Sequence, residues 1–208
     1  MSLQALIFDL GGVIVPFDQG KLFRRLADRC AAEDALQRIV DDNSDHRYAT
    51  GELPIDHLYG RFVDELGYQG DWEAFRQDFC CHLEIDGAML DLVERLSRTH
   101  RVMLFSNTNQ VHWDDLLART DGLLGRFEPY LSHEIGAVKP HLHAFAVVAE
   151  RAGVTPGRCL FIDDRMDNVE AARLAGFRSA QFTDQTSLAA LLREAGVTWP
   201  ETAAEETV

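Results

Sequence analysis

Ala5-Leu6-Ile7-Phe8-Asp9-Leu10-Gly11-Gly12 decides the fold. Four consecutive apolar residues ending in an acid and a glycine pair read as a buried parallel strand whose carboxyl end opens into a loop. The pattern recurs in Val102-Met103-Leu104-Phe105 before Ser106-Asn107, and in Cys159-Leu160-Phe161-Ile162 before Asp163-Asp164. Helical periods lie between the runs. Met89, Leu92, Val93 and Leu96 share one face, as do Phe145, Val148 and Ala149, with Leu142 expected to extend that buried stripe. The alternation specifies an α/β protein: a Rossmann-like parallel sheet with helices on both faces. Between Asp18 and Ile85 the rhythm breaks. Leu22-Phe23-Leu26 and Leu58-Phe62-Leu66 are amphipathic, and no strand interrupts them, so this stretch reads as an inserted, small, all-helical module. The expected division is a core of residues 1–17 and 86–208 and a helical unit of 18–85, with Pro16, Gly20 and Asp86-Gly87 as linker signals. Trp72 and Phe75 are expected to pack inside the helical unit.

The 208 residues allow one good core plus a small insertion and exclude a second large domain. A formal charge of −14, without a basic stripe, disfavours nucleic acid and anionic membrane surfaces as partners. Any phosphate must therefore be captured locally. No apolar run approaches the roughly 20 residues needed to cross a bilayer, and no basic-then-apolar leader opens the chain, so a cytoplasmic location is expected. Cys30, Cys80, Cys81 and Cys159 lack CxxC spacing and read as reduced packing thiols. His141 and His143, two apart on an expected helix, point to different faces and argue against zinc. His100, His112 and His133 stand isolated, and surface or loop positions are expected for them. The sequence does not reveal the oligomeric state.

In open α/β sheets ligands bind at the carboxyl ends of the strands, so Asp9, Ser106-Asn107 and Asp163-Asp164 are expected to converge. Clustered carboxylates repel one another unless a cation neutralises them, and hard oxygen ligands suit Mg²⁺. Beside such an ion Asp9 stays ionised and can attack phosphorus, forming an aspartyl-phosphate that water resolves. Each piece alone has a plainer explanation. Asp9-Leu10-Gly11-Gly12 would pass for a turn, Ser106-Asn107-Thr108-Asn109 for a helix N-cap, and Lys139 for a surface lysine. Their order and context set them apart.

Phe8-Asp9-Leu10-Gly11-Gly12-Val13-Ile14 resembles the first motif of the haloacid dehalogenase superfamily. Ser106 in Phe105-Ser106-Asn107-Thr108 resembles the second, Lys139-Pro140 the third, and Asp163-Asp164 with Asn168 the fourth. The Asp-Leu-Gly opening is similar to that of bacterial sugar-phosphate phosphatases of the α-D-glucose-1-phosphate type with a small helical cap. The resemblance implies a Mg²⁺-dependent phosphatase acting on a small phosphorylated metabolite, with Asp9 as nucleophile and metal ligand. It implies that the Gly11 carbonyl and Asp164 also ligate the metal and that Asp163 holds a metal-bound water. Ser106 and the Asn107 amide would bind the phosphoryl oxygens, and Lys139 would neutralise nucleophile and phosphate. Pro140 is expected at the first helical position beyond Lys139. His46-Arg47-Tyr48-Ala49-Thr50-Gly51-Glu52 resembles the specificity loop of such caps, making His46, Tyr48 and Thr50 candidate substrate contacts.

One position departs from the family pattern. The second acid expected two residues after the nucleophile is Gly11, which removes the usual proton donor to the leaving oxygen. Asp18 is a candidate replacement. A phosphomutase, which depends on that acid, is disfavoured, and haloacid dehalogenation would leave Asp163-Asp164 without purpose. A catalytically weakened member that binds a phosphometabolite or a partner protein remains the alternative.

Overall fold

The computed structural model describes residues 3–42 and 45–200. In chain order the elements are β1 (Ala5–Phe8), α1 (Gln19–Ala27), α2 (Ala35–Asp41), α3 (Asp45–Ala49), α4 (Ile55–Leu66), α5 (Trp72–Cys80) and α6 (Gly87–Ser97). They continue with β2 (Val102–Ser106), α7 (Gln110–Arg119), β3 (Pro129–Leu131), α8 (Ser132–Ile135), α9 (Leu142–Ala152), β4 (Cys159–Asp163), α10 (Met166–Leu174), β5 (Arg178–Gln181) and α11 (Gln185–Glu194).

The three apolar runs form the centre of a five-stranded parallel sheet, ordered β3-β2-β1-β4-β5. Phe8 pairs with Leu104 on one side and Ile162 on the other, which brings the three strand ends level. Alternate residues serve opposite faces. Leu6, Phe8, Leu104 and Ile162 pack with Met89, Leu92, Val93 and Leu96 of α6 and Leu188 and Leu192 of α11. Ala5, Ile7, Phe105 and Phe161 pack with Phe145 and Val148 of α9 and Ala172 of α10. The expected three-layer α/β fold is therefore present.

Two expectations near α9 need correction. Leu142 is 50% exposed, because the helix presents Ala144, Phe145 and Val148 to the sheet and leaves its first residue outside. Pro140 does not open the helix: it follows Lys139 through a cis peptide bond, and His141 is the N-cap. The edge strands β3 and β5 lie outside the apolar runs. In Arg178–Gln181 only Ala180 is buried.

Between Phe17 and Leu83 all regular elements among the described residues are helices. They enclose a separate apolar cluster that includes Leu26, Leu58, Phe62, Tyr68 and Phe75. Trp72 stacks on Phe75 with ring centroids 6.0 Å apart. Buried Asp78 accepts hydrogen bonds from Arg25 at 2.6 Å and Tyr68 at 2.7 Å and pairs with Arg29 at 3.2 Å, tying α1 to α5. The two connections to the sheet run side by side. Phe17 bridges Leu83 antiparallel, and the Glu84 N–H donates to the Pro16 carbonyl. Asp86 caps α6 by accepting from the N–H groups of Ala88 and Met89.

Candidate active site

Asp9 leaves the tip of β1, Ser106 ends β2, and Asp163 ends β4, so the level register brings all three to one edge of the sheet. Asp9 is buried. Its Oδ1 accepts from the Leu10 N–H at 2.6 Å and pairs with Lys139 Nζ at 2.8 Å. The Asp9 carboxyl also meets the Asp163 side chain. Burial pushes the Asp9 carboxyl up to about 7, with Lys139 opposing the rise and Asp163 adding to it.

Lys139 is held as firmly as the carboxylates. Only 3% exposed, it also reaches Asp163 Oδ2 at 2.7 Å, and its ammonium lies 5.3 Å from the Phe105 ring centroid and 5.4 Å from that of Phe161. The Asn107 side chain grips the Lys139 backbone from both sides. Its Nδ2 donates to the Lys139 carbonyl at 2.8 Å, and its Oδ1 accepts the Lys139 N–H at 2.9 Å. The side-chain amide of Asn107 thus positions Lys139. Asp163 is similarly occupied. It accepts from the Arg165 N–H at 2.9 Å and from Asn168 Nδ2 at 2.9 and 3.0 Å, in addition to Lys139.

Asp164 is half-buried, and burial together with Asp163 raises its pKa. Ligand atoms of Asp9, Asp163 and Asp164 all lie within 4.8 Å of one another. One lysine faces three acids here, which leaves surplus negative charge at the strand ends. This donor set fits a hard divalent cation such as Mg²⁺. Gly12 makes room for the arrangement. Its φ is +74°, and a Cβ there would collide with the Asp164 carboxylate. Gly11 has no such constraint: its φ lies outside the left-handed region, and an added Cβ would first meet Phe17 at 3.4 Å.

Other expected residues are more scattered. Tyr48 is buried, with its hydroxyl 3.1 Å from His57 Nδ1. It lines a cavity of about 360 Å³ that Gly11, Ser106 and Asn107 also line. His46 and Thr50 do not line it. The His46 ring meets that of His141 at 6.2 Å, and the Thr50 hydroxyl donates back to the His46 carbonyl at 2.9 Å. Asp18 caps α1 through the Lys21 N–H, and its side chain is 61% exposed. Asn109, the last residue of Ser106-Asn107-Thr108-Asn109, caps α7 by accepting from the His112 N–H, as that stretch suggested.

His112 is not an isolated surface residue. It stacks on Phe79 at 4.4 Å, and burial, reinforced by His82, holds its pKa down to about 3. His82, buried in the cavity wall, went unnoticed in the sequence because no motif surrounds it. Its Nδ1 has no hydrogen-bond partner among the described residues.

Among curated proteins, the chain is 27% identical over 195 residues to a D-ribitol-5-phosphate phosphatase of Bacteroides thetaiotaomicron, covering 86% of this chain and 91% of that one. It is 25% identical over 206 residues to a sesquiterpene phosphatase of Aspergillus oryzae, covering 93% and 96%. Among solved structures, an enzyme of the same superfamily from Bacteroides thetaiotaomicron, in complex with magnesium and inorganic phosphate, superposes with a TM-score of 0.79 at 22% identity, covering 90% of this chain and 99% of that one. No helix among the described residues is long and apolar enough to cross a membrane. A family model of haloacid dehalogenase-like hydrolases matches residues 3–176, and the chain belongs to that family.

Proposed function

We propose that this hydrolase is a Mg²⁺-dependent phosphatase that releases phosphate from a small phosphorylated metabolite through an aspartyl-phosphate on Asp9. The observation that carries the proposal is the pinning of Asp9 Oδ1 by Leu10 N–H and Lys139, with ligand atoms of Asp163 and Asp164 within 4.8 Å of the same carboxylate. Oδ2 attacks phosphorus, the P–O bond to the alcohol breaks, and the alcohol takes up a proton as it leaves. Water then cleaves the acyl phosphate, freeing inorganic phosphate and restoring the carboxylate.

The Ser106 hydroxyl and the Asn107 backbone N–H donate to the phosphoryl oxygens, while Lys139 balances the nucleophile's charge. Asp9, Asp164 and the Gly11 carbonyl would hold the metal, with Asp163 behind them orienting Lys139 and a metal-bound water. The ion supplies charge neutralisation for the approach of two anions. The helices of residues 18–85 act as the cap, covering the organic part of the substrate and excluding water. With Gly11 in place of an acid and Asp18 committed to a helix cap, leaving groups that need little protonation are favoured. The ribitol phosphatase among the relatives makes a sugar or polyol phosphate the first monoester to assay.

The test is phosphate release from a panel of monoesters, with Mg²⁺ and with a chelator, by the wild type and Asp9→Asn. Metal-dependent release that Asp9→Asn abolishes is expected. Release that survives the substitution removes the mechanism. No release from any monoester favours a phosphometabolite-binding protein, the reading that Gly11 keeps open.

A further inference from the structure

The cavity of about 360 Å³ lies between the strand ends and the helices of residues 18–85. Gly11, Ser106 and Asn107 form its wall beside the nucleophile. Leu22, Ile39, Leu58 and Phe62, from α1, α2 and α4, contribute apolar wall on the helical side. Charged residues of that side are already satisfied by the protein. Arg61 pairs with Asp42 and Glu65 at 3.0 Å each, and Arg38 donates to the Glu65 carbonyl at 3.0 Å. Tyr48 is engaged with His57, and Asn109 with His112 at 3.1 Å.

A sugar placed here would exchange hydrated hydroxyls for hydrocarbon, and most polar groups nearby are committed elsewhere. An apolar group would lose only water, although the wall also holds His82 Nδ1, which has no partner among the described residues. At about 30 Å³ per water-sized group, the volume accommodates about a dozen such groups.

We infer that the cavity holds an apolar alcohol portion of the substrate, an aliphatic or aromatic chain of about ten heavy atoms whose phosphate sits at Ser106 and Asn107. This inference rests on the phosphatase reading for the identity of the head group. The physical basis is continuity: a cavity with an apolar helical wall opens against the residues that would bind phosphate, so one ligand spans both. Affinity should then rise with chain length until the cavity is full.

The experiment pairs binding with turnover. Ethyl-, hexyl- and decylphosphonate, which cannot be hydrolysed, are titrated calorimetrically in the presence of Mg²⁺. The corresponding alkyl phosphates, glucose 1-phosphate and ribitol 5-phosphate are assayed for phosphate release. Each buried methylene is expected to strengthen binding about three- to fourfold, with a negative heat-capacity change, and to raise kcat/KM in parallel. Leu58→Trp, which fills the cavity, should collapse the decyl-to-ethyl ratio; thermal unfolding checks its fold. Should it not fold, Leu22→Phe is the smaller intrusion, and the wild-type gradient still decides.

Phosphate release without a chain-length gradient, or with glucose 1-phosphate or ribitol 5-phosphate preferred over decyl phosphate, overturns the inference and leaves the phosphatase reading standing. A gradient in phosphonate binding without release from any monoester does the reverse.

Discussion

Replacing Lys139 by Met keeps the length of the side chain between Phe105 and Phe161 but removes the cation that Asp9 and Asp163 share at 2.8 and 2.7 Å. Two carboxylates are then left buried without it. Removing one partner of a buried pair typically costs about 3–5 kcal/mol. For a chain of this size each kcal/mol moves Tm by about 2–4 °C, so a fall of about 6–20 °C is expected. The loss should depend on conditions. At pH 5 Asp9 is protonated, since burial already holds its pKa at about 7, and the missing cation matters less. At pH 8 the full loss should appear, and Mg²⁺ should restore part of it by replacing one positive charge with another. Chemical denaturation followed by circular dichroism at both pH values, with Mg²⁺ and with a chelator, measures each quantity. A loss below about 1 kcal/mol at pH 8, or an equal loss at pH 5, would refute the view that Lys139 neutralises this pocket.

Two further outcomes are expected. Gly11→Asp should fold normally, because φ there is not left-handed and the nearest neighbour of the new Cβ is Phe17 at 3.4 Å. It should raise turnover of alkyl phosphates by more than that of aryl phosphates, up to the roughly 10²–10⁴-fold that a general acid supplies; a folded variant without selective gain would show that another group already provides the proton. In the metal-free protein Asp9 should make stability fall as pH rises. Its carboxyl moves from 3.8 to about 7 on folding, so the folded chain retains a proton that the unfolded chain gives up. The contribution is complete below about pH 4 and lost by about pH 7, and the wild-type minus Asp9→Asn difference in denaturation midpoint isolates it. A difference that grows with pH has the wrong sign.

The centre of the fold was legible because Ala5–Phe8, Val102–Ser106 and Cys159–Asp163 are buried along their length, and burial on both faces writes an unbroken apolar run. The edge strands carry no such mark. Arg178 and Gln181 face solvent, so β5 is specified by its pairing with β4 rather than by its own composition. The acids at the strand ends were legible for the same reason as the strands. The hydrogen bonds that organise them were not: Asn107 to the Lys139 backbone and Asn168 to Asp163 join residues 32 and 5 positions apart, and only the folded chain shows that both asparagines are spent on positioning. The place of His112 is not legible in the sequence, because its stacking on Phe79 depends on how α7 meets α5, which periodicity within one helix does not encode.

The helical unit shows where sequence patterning ceases to discriminate. Leu22, Leu58 and Phe62 have the spacing of core residues and are indeed buried against their own cluster, yet the same side chains line the cavity. A stripe that closes a core and a stripe that walls a ligand site obey one rule, because both remove hydrocarbon from water. The difference lies in what fills the remaining volume. Phe17 offers the clearest physical hint: it is 51% exposed, it stands 3.4 Å from where a Gly11 side chain would begin, and it belongs to the same cavity wall. Its backbone bridges Leu83 where the two connections between sheet and helices run side by side. Glycine at position 11 keeps the wall beside Phe17 uncharged but supplies no proton, so an alkyl alcohol leaving here has to take its proton from another group or from water.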